Sequence, residues 1–505
     1  MEDRAMGNLI HTGVVVIGTG FSGMGMAIQL RKDGRDDFVI LEKADDFGGT
    51  WRDNTYPGCA CDIQSHMYSF SFEQKADWSR SFAPQAEIWD YMLGVARKWG
   101  LPSYTRFGTE VTSARWDAEE SRWYVDTGSG DTYVGQFLVA GTGALHIPSI
   151  PALPGIETFG GPAFHSAQWD HDVDLTGKRV AVIGTGASAI QFVPEIAPDV
   201  AELTLFQRTA PWIMPKPDHG IAPAVQTAFS KVPGALRGYR GLLYWLNESR
   251  GLAFNGHQGI MKVASKLAAW NIRRAVKDPA LVKKLTPDYV MGCKRVLVSN
   301  DYYRVFNRDN VHLDTDGVAE VRGNTIVSRD GGEREVDVII YGTGFHVTDA
   351  FSYLDVTGLD GRNLGKDWAD NGINTHLGIN VAGFPNLFFL LGPNTGLGHN
   401  SVVFMIESQI RYVADAIRLV GKHGATALDV RQSAQDEFNR EIQHKLAEGV
   451  WTKGGCQSWY LDAKGVNRTI WPGFTWRYWL RTRRVDPTNF ELITRRPAPV
   501  AAATK

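Results

Sequence analysis

The chain is expected to fold as an α/β protein with two Rossmann-like dinucleotide-binding domains, the second inserted in the first, and a helical subdomain. Three observations predict this: two copies of a strand, glycine turn and helix; two apolar strands ending in Gly-Thr-Gly on either side of the second copy; and, between them, a stretch with apolar residues at helical spacing. Length agrees, because 505 residues exceed what one hydrophobic core holds and suit about three packed units.

The first copy is Val14-Val-Val-Ile-Gly18-Thr-Gly20-Phe21-Ser22-Gly23, followed by Met-Gly-Met-Ala-Ile-Gln-Leu and then Phe38-Val-Ile-Leu-Glu42. A short β-branched run reads as a buried parallel strand. The glycines permit a tight turn and close backbone approach, and the following helix offers its N-terminal amides to a pyrophosphate. Glu42 lies 19 residues beyond Gly23, where a carboxylate accepts hydrogen bonds from an adenosine ribose.

The second copy is Arg179-Val-Ala-Val-Ile-Gly184-Thr185-Gly186-Ala187-Ser188-Ala189, with Ala in place of the third glycine and the strand Glu202–Arg208 after it. Arg208 lies 19 residues beyond Ala189, so a guanidinium stands at the offset where the first copy has a carboxylate. A fork of N–H donors suits a 2′-phosphate and a carboxylate repels it, so this site is expected to prefer NADP. A single such turn is a weak signal; two, each with a suitable charge at the same offset, indicate a bound flavin dinucleotide, FAD, and an exchangeable nicotinamide, NADPH/NADP+.

The segments Phe137–Gly143 and Asp337–Phe345 read as crossings between the domains, and the proline-rich Ile147–Gly155 as a semi-rigid linker. The expected division is 1–148 and 341–505 for the FAD-type domain, 149–215 and 292–340 for the NADP-type domain, and 216–291 for the helical subdomain. In the last, Leu236–Leu246 and Lys262–Trp270 carry apolar residues at helical spacing, and Asp278-Pro279 offers an N-cap and an N1 proline. Most of its residues are read as a packing element that covers the sheet.

Apolar residues at 43% and charged ones at 21% are ordinary for a folded globular protein, and a net charge of −2 gives no global field to attract nucleic acid or an anionic membrane. The first residues show neither a signal nor a transit peptide, and no apolar run is long enough to span a bilayer. Four cysteines, Cys59, Cys61, Cys293 and Cys456, are too few for a disulfide framework and fit a reducing compartment, so a cytoplasmic location is expected. Small molecules are the expected partners.

The stretch Phe159-Gly-Gly161-Pro-Ala-Phe-His165-Ser-Ala-Gln-Trp169-Asp170 resembles the fingerprint of the type I Baeyer–Villiger monooxygenases, class B flavoprotein monooxygenases. Gly48-Gly49-Thr50-Trp51 with Tyr56-Pro-Gly58 and Asp62 is similar to a second family fingerprint, Gln207-Arg208-Thr209 to the NADP-phosphate segment, Gly292-Cys-Lys294-Arg295 to the active-site strand, and Ala382–Asn394 to the return into the flavin domain. The similarity spans nearly the whole chain; the aromatic C-terminus from Trp451 matches only some branches.

The resemblance implies that Arg295 is the catalytic arginine, that Asp62 pairs with it, and that Lys294 joins Arg208 at the NADP phosphate. It places FAD on Gly18, Gly20, Phe21, Ser22, Gly23, Glu42, Lys43, Gly49, Thr50, Trp51, Asp62, Ile63, Tyr68 and Asn394, and NADP on Gly184, Thr185, Gly186, Ala187, Ser188, Arg208, Thr209 and Lys294. It implies an NADPH- and O2-dependent reaction in which a flavin C4a-peroxide inserts one oxygen next to a ketone carbonyl, giving an ester or lactone. A permanently charged guanidinium suits this chemistry, because it stabilises a peroxyanion without readily protonating it. The position of the fingerprint between linker and second nucleotide strand assigns Phe159, Gly161, His165, Trp169 and Asp170 to a hinge, with no proton transfer at His165.

Alternatives remain at this level: an N- or S-oxygenating flavin-containing monooxygenase acting on sulfides, a flavin disulfide reductase, and a nucleotide-responsive scaffold without turnover. Trp169-Asp170 and Arg295 argue against the first, and the absence of a paired-cysteine motif against the second. Cys59 and Cys61 are read as reduced packing thiols, and His66, His346 and His399 as hydrogen-bonded structural groups; no metal is expected. The C-terminal Trp459-Tyr460, Trp471, Trp476, Tyr478 and Trp479 with Arg481–Arg484 could rest on a membrane surface; packing over the domain core is the preferred reading.

Overall fold

The computed structural model describes residues 7–254, 258–347, 355–456, 458–462 and 464–494; the Pro/Ala-rich tail lies outside them. The first glycine turn joins β1 (Leu9–Ile17) to α1 (Phe21–Lys32), and β2 (Phe38–Leu41) follows. With β3 (Thr105–Arg106), β4 (Val111–Asp117), β5 (Arg122–Thr127) and β6 (Thr132–Ala140) these build one sheet. The strand Asp355–Thr357 extends it beyond β4, and Leu387–Phe389 pairs with β6. Across the sheet the order is 355–357, β4, β5, β6, β1, β2, β3. β1 is parallel to both β2 and β6, which puts the three apolar strands at the centre of the sheet. Burial explains their composition: Val14, Val15 and Val16 are shielded from solvent, as expected for a strand covered on both faces. All but three residues of α1 are buried, because its outer side is covered by α5 (Val402–Lys422).

The second glycine turn builds a separate parallel sheet from β7 (Ala163–His165), β8 (Arg179–Ile183), β9 (Glu202–Phe206), β10 (Val311–Asp314) and β11 (Val338–Tyr341), in the order β10, β9, β8, β11, β7. The helix α2 (Ala189–Ile196) follows the turn. The sheet lies wholly between strands of the first sheet in sequence, so the inserted arrangement is present. The start of the proline-rich linker bonds to the end of the second crossing: Ser149 N donates to Gly344 O at 2.8 Å and His346 N, just beyond it, to Ile147 O at 2.9 Å.

The helical subdomain contains α3 (Ala235–Phe254) and α4 (Gln258–Ala275), packed against each other. Asp278 caps the next helix, Pro279–Leu285, by accepting from Ala280 N at 2.8 Å, with the proline at its first position. In the C-terminal segment Tyr460, Trp471 and Tyr478 are buried, which matches packing over the core.

One expectation needs correction. Cys293 and Cys456, 163 residues apart, form a disulfide, so the four cysteines are not all reduced thiols. Sequence spacing carries no signal of a pair that only the tertiary fold brings together. Cys59 and Cys61 are free and buried.

Candidate active site

The first turn closes on itself through tight backbone contacts. Gly18 has φ +94°, and a Cβ there would stand 2.7 Å from Gly141 O; a Cβ on Gly23 would stand 1.8 Å from Gly18 O. Gly20, in contrast, faces open space, with no atom within 4 Å of where its Cβ would lie. This leaves the N-terminal amides of α1 facing a cavity lined by Gly18, Gly20, Phe21, Ser22, Glu42, Lys43, Gly49, Thr50, Trp51 and Tyr68. The expected residues Gly23, Asp62, Ile63 and Asn394 are not part of that wall. Gly23 holds the turn against α1. Asn394, at φ +57°, donates to Asn467 O and Ile470 O, both at 3.2 Å, and so fixes the C-terminal segment.

Glu42 is more constrained than its sequence position suggests. Oε2 accepts from Thr19 N at 2.9 Å and Thr19 Oγ1 at 2.6 Å, Oε1 accepts from Ala44 N at 3.0 Å, and Arg52 Nη1 lies 3.4 Å away. The carboxylate is therefore pre-oriented at the cavity and can accept further bonds from a hydroxyl pair. Sequence reasoning missed Arg52, His146, Phe389 and Leu391 on this wall. Arg52 is only one residue beyond Trp51 in the Gly48–Trp51 motif, a signal that could have found it. Val402 and Ile406 bring the first turns of α5 to the cavity, so the positive end of its dipole lies there. Glycine cradle, N-terminal amides, carboxylate and apolar wall fit a flavin dinucleotide.

In the second unit Gly184 has φ +105°, and a Cβ there would approach Gly342 O to 2.5 Å. Thr185 Oγ1 donates to Thr209 O at 3.1 Å, and the Ser188 and Ser166 hydroxyls are 3.0 Å apart. Gly186 and Ala187 are exposed, leaving the turn accessible. Arg208 is exposed as well, and the Lys294 ammonium has its pKa lowered by burial and by the nearby Arg208 charge. Asp288 offsets only part of this charge, and two cations held close together attract an anion such as a phosphate ester.

Arg295 follows Lys294 directly and reaches back to the first unit. Its Nη2 and Nε donate to a single oxygen of Asp62, Oδ2, at 2.6 and 3.0 Å, and Nη1 lies 3.5 Å from Leu397 O. The Asp62 charge raises the Arg295 pKa further above its ordinary value. About a third of each side chain still meets solvent, 32% for Arg295 and 29% for Asp62, so the pair is reachable by a small molecule. Tyr460 stands beside it, its phenol pushed up to about 12 by burial and held down in part by Arg295. Burial pushes Cys59 up to about 11 and Cys61 higher still, so both thiols remain protonated packing groups. Among the described residues no group of three or more His, Cys, Asp or Glu is placed to hold a metal.

The fingerprint lies on the edge of the second sheet, where β7 pairs with β11 and His165 stands opposite Tyr341. His165 is buried; its Nδ1 accepts from Ala167 N at 3.1 Å, and burial lowers its pKa. A Cβ on Gly161 would meet Asp337 O at 2.2 Å, and the Phe159 ring lies against the same glycine. Trp169 packs on Phe164 and on Phe192 of α2, both at 5.3 Å. Phe192 in turn touches Tyr56 of the first unit at 6.1 Å, and Tyr56 Oη donates to Gln191 Oε1 at 2.9 Å. Asp170 caps the exposed turn to Asp172. His66 packs edge-on against Phe229 and Tyr239, His346 joins the crossing segments through its backbone, and His399 lies 3.4 Å from buried Glu248.

Comparison with known proteins agrees with this geometry. Residues 11–227 match the flavin-binding monooxygenase-like family. A Baeyer–Villiger monooxygenase of Pseudomonas aeruginosa is 50% identical over 493 residues, covering 97% of this chain and 93% of that protein. A Baeyer–Villiger monooxygenase of Streptomyces coelicolor is 48% identical over 496 residues, covering 98% and 95%. Among solved structures, an oxidized steroid monooxygenase bound to NADP is similar with a TM-score of 0.86 at 31% identity, over 96% of this chain and 100% of that one. A closed cyclohexanone monooxygenase gives 0.87 at 27% identity over the same shares. Sequence, fold and site geometry thus converge, and the chain belongs to the Baeyer–Villiger monooxygenase family of flavin-binding monooxygenases.

Proposed function

We propose that Arg295 and Asp62 are the catalytic pair of this FAD-containing, NADPH-dependent Baeyer–Villiger monooxygenase, and that its substrate is a small-molecule ketone. With NADPH and O2, FAD held at the first unit would supply the oxidising power to insert one oxygen atom beside the carbonyl, giving an ester or lactone. The observation that carries the assignment is the Arg295–Asp62 contact, which joins a residue next to the anion-binding lysine of the second unit to the first unit. In this reading the guanidinium stabilises negative charge as it develops on oxygen, without giving up its proton. Asp62 uses one oxygen to set the direction of the guanidinium and leaves Nη1 on the side of Leu397 O.

Residues Gly18 to Ser22, Glu42, Lys43 and Gly49 to Trp51 would hold FAD, the amides taking the pyrophosphate and Glu42 the ribose. Residues Gly184 to Ser188, with Arg208, Thr209 and Lys294, would hold NADP, the two cations taking the 2′-phosphate. His165, Trp169 and the surrounding fingerprint act as a hinge, the contact through Phe192 to Tyr56 supporting this role. The domains are assigned as 1–148 and 341–505, 149–215 and 292–340, and 216–291; the bonds between residues 147–149 and 344–346 support the outer boundaries. No helix among the described residues is long and apolar enough to cross a membrane, and a cytoplasmic location is our reading. Incubation with NADPH and a panel of ketones and sulfides, followed by mass spectrometry, tests the substrate class. Addition of one oxygen to ketones as esters supports it; addition to sulfides alone overturns it.

A further inference from the structure

The helices α3 and α4 each have a second apolar face that none of the described residues covers. On α3, Arg240, Leu243, Asn247, Gly251 and Phe254 point inward, while Leu242, Trp245, Leu246 and Leu252 are 41 to 61% exposed. At 100° per residue these four lie on the side opposite the buried row. On α4, Met261, Ala268 and Ile272 are buried, while Ile260, Val263, Leu267 and Trp270 are 46 to 69% exposed. Single exposed apolar residues are ordinary, but two rows on neighbouring helices mark an interaction surface.

The charge on these helices states what the surface fits. Arg237, Arg250, Lys262, Lys266, Arg273 and Arg274 are exposed, and no exposed carboxylate accompanies them. The one acid in either helix, Glu248, is buried, where it accepts from Asn400 and Thr475. On α4 the basic Lys262, Lys266 and Arg273 run along one edge of the apolar row, and Arg274 stacks over Trp270 at 5.3 Å. A strip of leucine, valine and tryptophan bordered by lysine and arginine is the pattern of a helix lying in a lipid interface. A second copy of the chain is the poorer occupant, since face-to-face packing would set the cations of one copy against those of the other without a counter-charge. Ala253 of α3 and Met261, Lys262 and Ser265 of α4 wall a cavity of about 1050 Å³ that also meets Met291, Trp471 and Phe474.

We propose that the outward face of α3 and α4 docks on the surface of a bilayer containing anionic phospholipid. The test is co-sedimentation of the holoenzyme with vesicles of about 70% neutral and 30% anionic phospholipid, beside vesicles of neutral lipid alone. The wild-type protein is expected to pellet with the anionic vesicles and weakly with the neutral ones, and to be partly released by about 0.5 M salt. Replacing Val263→Glu and Leu267→Glu together is expected to lower the partition at least about tenfold, while flavin content and ketone turnover in vesicle-free buffer stay unchanged. Wild-type protein that remains in the supernatant, or a double variant that binds as well as wild type, overturns the proposal. So does a dimer, seen by light scattering, that the double variant splits, because the face is then filled by a second copy.

Discussion

Asp62 Oδ2 receives both Nε and Nη2 of Arg295, an ion pair formed across the junction of the two nucleotide-binding units. Replacing Arg295→Ala is expected to leave NADPH able to bleach the flavin while ester formation falls by about two to three orders of magnitude. Stopped-flow absorbance and product analysis on the same sample separate the two steps. Ester yield at the wild-type level would remove Arg295 from the mechanism.

The pairing of Arg208 and Lys294 predicts cofactor choice. Arg208→Ala should raise the KM for NADPH by about ten- to one-hundredfold, the value of one charge-assisted contact, and leave the KM for NADH nearly constant. Initial rates with both cofactors check this, and unchanged discrimination would count against the phosphate assignment.

Tyr56 ties the first unit to α2 by one hydrogen bond to Gln191. Tyr56→Phe removes that bond, worth about 1 kcal/mol, while keeping the ring contact with Phe192. The expected outcome is a larger share of NADPH oxidised without ester formed, because the relative placement of the two units is less well held. The ratio of NADPH consumed to product formed measures it.

Glu248 is a buried carboxylate with donors from Thr475 N at 3.1 Å, Thr475 Oγ1 at 2.6 Å and Asn400 Nδ2 at 2.8 Å. Burial alone would raise its pKa, but hydrogen bonds from His399, Thr475 and Asn400 outweigh this and hold it below the ordinary value. Glu248→Ala leaves those donors without their acceptor and should destabilise the fold by about 3 kcal/mol. Thermal unfolding at neutral pH tests this, and an unchanged Tm would show that the network contributes little.

Burial lowers His66 and His376 to about 4. Protons bind these rings more readily in the unfolded chain, so the stability that their neutral forms confer is present above about pH 6.5 and is lost as pH falls toward 4. Tm should therefore drop over that range. His66→Phe, which keeps a ring against Phe229 and Tyr239, should flatten the drop; an identical pH profile in the variant would exclude His66 as a contributor.

The nucleotide-binding plan was legible in the sequence because its requirements are local. Gly18 and Gly184 must adopt positive φ beside a neighbouring strand, Glu42 and Arg208 must stand at the end of the next strand, and both demands recur at fixed spacing. The pair of Asp62 and Arg295 was legible only through family resemblance, since 233 residues separate them. Cys293 with Cys456, and Glu248 with Thr475, left no local trace for the same reason. The helical subdomain shows a different limit. Helical periodicity identified apolar rows in α3 and α4, but a period does not state whether a row faces inward or outward, and these helices have one of each.

The start of the linker, Ile147–Ser149, and the end of the second crossing, Gly344–His346, are bonded to one another edge to edge, and Thr343 Oγ1 adds a bond to Ser149 O. Two independent tethers would let the inserted unit tilt and swivel freely. Joined into a ribbon, they restrict it chiefly to bending about one axis, like a door on a strap rather than a ball in a socket. Gly141 and Gly342, a few residues before these segments, pack against the first and the second nucleotide turn. A bend confined to the ribbon would therefore leave each turn packed on its own glycine and unchanged in shape.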